Sequence, residues 1–154
     1  MVIVCLVQHG EALPEEVDPN RPLSERGRRE TEKIARFLAS IGFKPDKIIH
    51  STKLRARQTA EILAQYLKPD KGAEEVEGLE PKADPRIWAE KLDNTGENTI
   101  VVGHLPHLSR LASLLLTGSE EKEIIRFRYS GIYCLEKTEN NWRIIWALTP
   151  DIIP

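Results

Sequence analysis

Two histidines in matching local settings carry the chemistry of this sequence. One stands in Val7-Gln8-His9-Gly10-Glu11-Ala12, directly after the first apolar run. The other stands in Ile100-Val101-Val102-Gly103-His104-Leu105-Pro106. In each case a short β-branched run ends in a polar break, and an imidazole sits at that break. If the two runs are neighbouring parallel strands, both rings face one crevice outside the carboxyl ends of the strands, where open α/β sheets bind ligands. A third run, Lys47-Ile48-Ile49-His50, leads into Ser51 to Arg57. Helix N-termini favour anions, and Lys53, Arg55 and Arg57 add cations to the same turns. Arginine holds phosphoryl oxygens in a planar fork, and a neutral imidazole can attack phosphorus. The expected chemistry is phosphoryl transfer.

Regular elements must position these groups. Residues 2–7 read as a buried strand, and Asp18-Pro19-Asn20-Arg21-Pro22 as a loop rich in turn residues. Ser24 is the expected cap of a first helix, with Glu25 in its first turn and Ile34, Phe37, Leu38 and Ile41 at helical spacing. Gly42 supplies the stop. After the strand Lys47–His50, Ser51 or Thr52 is expected to cap a second helix whose Leu63, Tyr66 and Leu67 face the core. A short strand is expected around Glu74–Val76, and Asp84-Pro85 opens a helix to about Leu92. Thr99–Val102 is the most β-branched strand. Pro106 opens a helix that runs to Gly118, and Ile132–Leu135 and Trp142–Ala147 form a hairpin around Thr138–Asn141. Alternating strands and helices predict a three-layer α/β/α sandwich, its sheet mostly parallel with a C-terminal antiparallel hairpin.

The bulk numbers set limits. The 154 residues suit one domain spanning 1–154, large enough to bury roughly two-thirds of its unfolded surface. Twenty-two basic against 24 acidic residues give a net charge of −2, which argues against nucleic-acid binding by bulk electrostatics. The apolar opening Met1–Val7 is too short for a signal-peptide core and lacks a basic start, so we expect a cytoplasmic protein without a membrane span. Cys5 and Cys134 fall in strand-like segments without metal spacing and are expected to be buried thiols, since disulfides are rare in the cytoplasm. His104 and His107 could share a metal by spacing alone. Leu105-Pro106 separates them at a helix start, and no metal or cofactor is expected. His50 and the three tryptophans read as packing residues.

Four stretches together resemble the histidine phosphatase superfamily, most closely its smallest members, the SixA-type phosphohistidine phosphatases. They are Gln8-His9-Gly10-Glu11-Ala12, Arg21-Pro22-Leu23-Ser24-Glu25-Arg26-Gly27, Ser51-Thr52-Lys53-Leu54-Arg55-Ala56-Arg57-Gln58-Thr59-Ala60 and Val102-Gly103-His104-Leu105-Pro106. They stand in the family's order and spacing, so the resemblance spans nearly the whole chain. It implies a phosphoglycerate mutase-like fold and a metal-independent phosphatase. His9 then resembles the nucleophile that becomes transiently phosphorylated, and Arg55 the clamp on the phosphoryl oxygens. His104 resembles the second histidine, which hydrogen-bonds the phosphoryl group, and Arg21 an arginine near the pocket. The short chain lacks the insertions that give larger relatives their lids. That openness suits phosphohistidine on a protein partner better than an enclosed metabolite, with a small phosphate ester as the alternative substrate.

The sequence departs from the family at one position. Gln8 stands where the superfamily has arginine, keeping one donor amide and losing the charge. A charged hydrogen bond contributes about 1.5–3 kcal/mol, so phosphoryl binding is expected to weaken ~10- to 100-fold unless Arg21 or Arg57 compensates. A catalytically weakened phospho-binding module is the corresponding alternative. Larger relatives protonate the leaving group with a mid-chain carboxylic acid. Glu80, in Gly78-Leu79-Glu80-Pro81, is the candidate here, and Glu11 is a second. A nearby guanidinium is expected to lower the His9 pKa and keep the ring neutral, with activity falling at acid pH.

Overall fold

Val4, Cys5, Leu6 and Val7 are all buried, the pattern of a parallel strand covered on both faces. They belong to β1 (Val2–Gln8) in a computed structural model that describes residues 1–154. Alternate side chains leave the strand in opposite directions. Cys5 and Val7 join a core with Ile34, Leu38, Ala60 and Leu63, from α1 (Glu25–Ser40) and α2 (Leu54–Leu67). Val4 and Leu6 join a second core with Trp88, Leu92, Leu108 and Leu111, from α3 (Pro85–Asp93) and α4 (His107–Thr117). Two helices on each face of one sheet make the expected three layers.

Six strands complete that sheet: β1, β2 (Lys47–His50), β3 (Ala73–Glu75), β4 (Thr99–Gly103), β5 (Ile132–Thr138) and β6 (Asn141–Leu148). Their order is β3-β2-β4-β1-β5-β6. The first four run parallel, and β5 and β6 add the antiparallel hairpin. The register is what matters for function. Gln8 pairs with Gly103, and His50 pairs with Val102. The ladder continues one residue further, with His9 N–H donating to Gly103 O (3.1 Å) and Ser51 N–H to Val102 O (3.3 Å). Three strands therefore end level with one another.

Local signals set most helix boundaries. Ser24 caps α1 by accepting from Gly27 N–H, and Gly42 follows its end with φ 76°. Asp84 caps α3 ahead of Pro85, and Gly118 closes α4 in the left-handed conformation. The expected cap of α2 is corrected. Its N-cap is Lys53, whose ammonium has no acceptor with which to cap, while the Ser51 hydroxyl meets His104 Nε2. No helix is long and apolar enough to cross a membrane.

The cysteine expectation is also corrected. Cys5 and Cys134 lie directly opposite each other on antiparallel β1 and β5, and they form a disulfide. Strand pairing decides this contact, which 129 residues of sequence separation conceal. A cross-link closing so long a loop restricts the unfolded chain, for a contribution of roughly 2–5 kcal/mol. The double variant Cys5→Ala/Cys134→Ala is expected to lose stability in that range in denaturant unfolding. A loss below about 0.5 kcal/mol would show that the bond adds nothing.

Candidate functional site

His9 emerges from β1 into a pocket of about 370 Å³ lined by Gln8, His9, Arg21, Arg55, Pro81, His104, Leu105 and Tyr129. The backbone beneath it has no room to move. A Cβ on Gly10 would stand 2.9 Å from Thr31 Oγ1 and 3.0 Å from Gly27 O, and one on Gly27 would stand 2.1 Å from Glu11 O. Only glycine permits this approach between α1 and the loop after β1. Gly10 N–H also donates to Thr59 Oγ1 (2.9 Å), whose hydroxyl donates to Arg55 O (2.8 Å). The nucleophile candidate and the arginine candidate thus share one hydrogen-bonded link.

The ring of His9 is oriented by its own chain. Nδ1 donates to Gly10 O at 2.7 Å, and because a carbonyl only accepts, the proton resides on Nδ1. Nε2 is left with its lone pair. Burial pushes the His9 pKa down to about 4; the Gly10 bond works against this, and the Arg55 and Arg21 charges lower it further. The expected direction holds, with a correction to its cause: desolvation outranks the guanidinium groups.

His104 lies at the end of β4, its ring centroid 4.9 Å from that of His9. Its Nε2 is 2.5 Å from Ser51 Oγ. Ser51 Oγ also accepts from Lys53 N–H (3.3 Å). With the hydroxyl donating to Nε2, the proton of the neutral ring is on Nδ1, which is buried and has no protein partner. Burial again leads in lowering this pKa, to about 3, followed by the His9 and Arg55 charges. Ser51 is therefore a positioning residue that sequence spacing assigned to helix capping.

Two cations complete the pocket. Arg55 has its Nε buried without a partner, and it stays cationic although burial and Arg21 lower its pKa. Arg21 sits in the left-handed region (φ 48°), with N–H to Asp18 O and Nε to Leu13 O, each 3.0 Å. Gln8 contributes its amide, and its Oε1 also has no partner. Two guanidiniums with two neutral imidazoles match the charge of a phosphoryl dianion. Unpaired buried polar atoms are costly, and the donor-bearing residues among them, Arg55 and His104, line one cavity with Arg21, a charge pattern that suits an oxyanion.

Other expected residues lie elsewhere. Arg57 is exposed and faces Glu61 along α2 (3.6 Å), outside the pocket. Lys53 lines a neighbouring groove. The Glu80 carboxylate accepts from Gly78 N–H (2.9 Å), and its neighbour Pro81 lines the pocket instead. Glu11 Oε1 accepts from Ser24 Oγ (2.7 Å). His50 is buried, with Nδ1 bonded to Ser51 O. Tyr129 went unnoticed in the sequence, and its ring centroid is 5.5 Å from that of His9. It precedes a turn at Ser130, whose N–H donates to Gln8 O (2.9 Å). The turn before a hairpin was a visible signal; its place beside β1 was not.

Comparison with known proteins adds to this geometry. The family model of the histidine phosphatase superfamily (branch 1) matches residues 4–80, half of the chain. The Drosophila ananassae protein "Serine/threonine-protein phosphatase Pgam5, mitochondrial" is 41% identical over 69 residues, 44% of this chain and 24% of its own length. The match thus spans about a quarter of that curated relative. Over almost the full chain, the structure is similar to that of the protein histidine phosphatase SixA complexed with tungstate. The TM-score is 0.86 at 26% identity, covering 97% of each chain. The alpha-ribazole phosphatase of Shigella flexneri shares the fold at 15% identity, with a TM-score of 0.75 over 92% of this chain and 94% of its own.

Two measurements check the electrostatics. NMR titration of the His9 ring is expected to show a midpoint near 4, so that the ring is neutral throughout the physiological range; a midpoint near 6.5 contradicts the desolvated site. In Ser51→Ala, the ring nitrogens of His104 are expected to lose their preference for the Nδ1–H tautomer. An unchanged tautomer would remove Ser51 from its positioning role.

Proposed function

We propose, because this chain belongs to the histidine phosphatase superfamily (branch 1), that it hydrolyses phosphohistidine on a protein partner through a phosphorylated His9. What supports this reading is that His9, Arg55 and His104 line one pocket while His9 Nε2, His104 Nδ1 and Arg55 Nε make no hydrogen bond to the protein. The similar SixA structure was solved with tungstate, a tetrahedral oxyanion of phosphate-like shape, which agrees with such a pocket.

In this mechanism His9 Nε2 attacks phosphorus as the substrate P–N bond breaks. The electron pair leaves on an imidazole nitrogen, and the departing ring is neutral if its other nitrogen is protonated. Arg55 and His104 Nδ1–H stabilise the charge on the phosphoryl oxygens, as donors aimed at developing charge do in a dry site. Water then attacks phosphorus, the P–Nε2 bond breaks and its electron pair returns to His9. Phosphate leaves, and the water proton goes with it or to solvent.

The leaving group follows from the proton donors at hand. An alkoxide needs a strong acid beside it, and the Glu80 carboxylate is held by the Gly78 amide. An imidazole needs less help. Arg21 is the residue that would offset Gln8, because it lines the pocket and its charge reaches His9. Gln8 itself supports the second reading, a module that binds the phosphoryl group with little turnover.

A panel of phosphohistidine, phosphoserine and small phosphate esters against wild type and His9→Ala tests the proposal. Phosphohistidine is expected to be preferred, with an acid-labile phospho-enzyme on rapid quenching that His9→Ala lacks. Fast hydrolysis of a sugar phosphate that collapses in Glu80→Ala would favour the small-ester reading. Gln8→Arg is expected to tighten phosphoryl binding by about 10- to 100-fold. Absence of hydrolysis in both wild type and Gln8→Arg would leave only the binding module.

A further inference from the structure

We infer that a basic groove beside the phosphoryl pocket binds carboxylate side chains flanking the phosphorylated residue of a polypeptide substrate, with Lys53 as the residue that selects them. The inference rests on the protein phosphatase reading above. The groove, about 560 Å³, is lined by Arg21, Thr52, Lys53, Arg55, Asn20 and Glu15, among others. Arg21 and Arg55 line the phosphoryl pocket as well, so the two cavities share a wall and a ligand can run from one into the other.

Charge identifies the occupant. Three cations face one carboxylate in this groove, on a chain whose net charge is −2. None of the three has a carboxylate within 4.0 Å, whereas Arg57, a few residues along the same helix, is matched by Glu61. Arg21 and Arg55 are committed to the phosphoryl group. Lys53 is exposed and free for a second anion. The wall is preformed: Arg21 is fixed by bonds to Asp18 O and Leu13 O, and Val17 N–H closes a turn on Pro14 O. The pocket also has an apolar rim, Leu105 and Tyr129, each about two-fifths exposed. A basic groove and an apolar rim around one phosphoryl site fit a polypeptide surface better than a compact metabolite.

Glu15 opposes the same occupant, which gives two substitutions of opposite sign. The test compares phosphohistidine peptides of equal length with Asp/Glu or with Ser/Asn flanks, and phosphoimidazole as a control too small to reach the groove. Wild type is expected to prefer the acidic peptide through KM, by about 2- to 5-fold per ion pair at low salt, and to lose the preference at high salt. Lys53→Gln should abolish that preference by raising KM for the acidic peptide, with a smaller effect on phosphoimidazole turnover through the Lys53 charge that reaches His104. Lys53→Arg should keep it, and Glu15→Gln should strengthen it. Equal KM values for the two peptides in wild type would overturn the inference. So would a Lys53→Gln loss as large for phosphoimidazole as for the acidic peptide. If nothing is hydrolysed, the phosphatase reading fails separately, and peptide affinities measured by fluorescence anisotropy on the same variants decide the groove.

Discussion

The parallel register of β1 against β4 is the constraint on which the site depends. A strand fixes the direction of each side chain through its period of two, and a slip of one residue reverses every face. Here Gln8 opposite Gly103 brings the residues that follow, His9 and His104, over the same end of the sheet. The slip is prevented from below. Val4 and Leu6 enter one core and Cys5 and Val7 the other, so a shifted strand would disturb packing against all four helices. The precision of the imidazole pair is thus a property of the core, obtained from residues that never touch a ligand.

The same core sets the electrostatics. Both rings are held neutral chiefly because they are buried, and the nearby cations act in the same direction. That combination resolves a conflict. A phosphoryl group calls for positive charge, while a nucleophilic nitrogen must not take up a proton. Guanidinium groups can supply the charge without competing for the proton, since they titrate far above neutrality. The His9 tautomer is set by a bond to the next residue, Gly10 O, whereas the His104 ring meets Ser51 Oγ, 53 residues away in sequence, only because β2 lies beside β4.

What could be read from the residues were the features with local causes. Apolar runs, caps at Ser24 and Asp84, and glycine stops predicted most elements within a residue or two, and the parallel order followed from their alternation. The two imidazoles and Arg55 were visible because each follows a strand directly. Features that depend on tertiary pairing were hidden. The disulfide joins cross-strand neighbours 129 residues apart, and Tyr129 reaches the pocket only because β5 returns beside β1. Ser51 Oγ accepts from Lys53 N–H at the helix start and also meets His104, and the second contact depends on where β4 lies. The least readable charged groups were Glu80 and Arg57, which have suitable neighbours in sequence but are engaged by Gly78 N–H and Glu61.

Gln8 is best understood through this division between scaffold and charge. Its backbone keeps the structural role of the position, accepting from Ser130 N–H and pairing with Gly103, so substitution of the side chain leaves the register intact. Only the charge in the pocket changes. Arg21 occupies the same cavity from a different segment, held in an unfavourable left-handed backbone conformation by two hydrogen bonds. Such a conformation costs of order 1–3 kcal/mol and persists only where the surroundings impose it. The strained loop thus presents a guanidinium in the same cavity as the glutamine, over strands whose register does not depend on either side chain. It also places that charge next to the Lys53 groove, because Arg21 and Arg55 line both cavities.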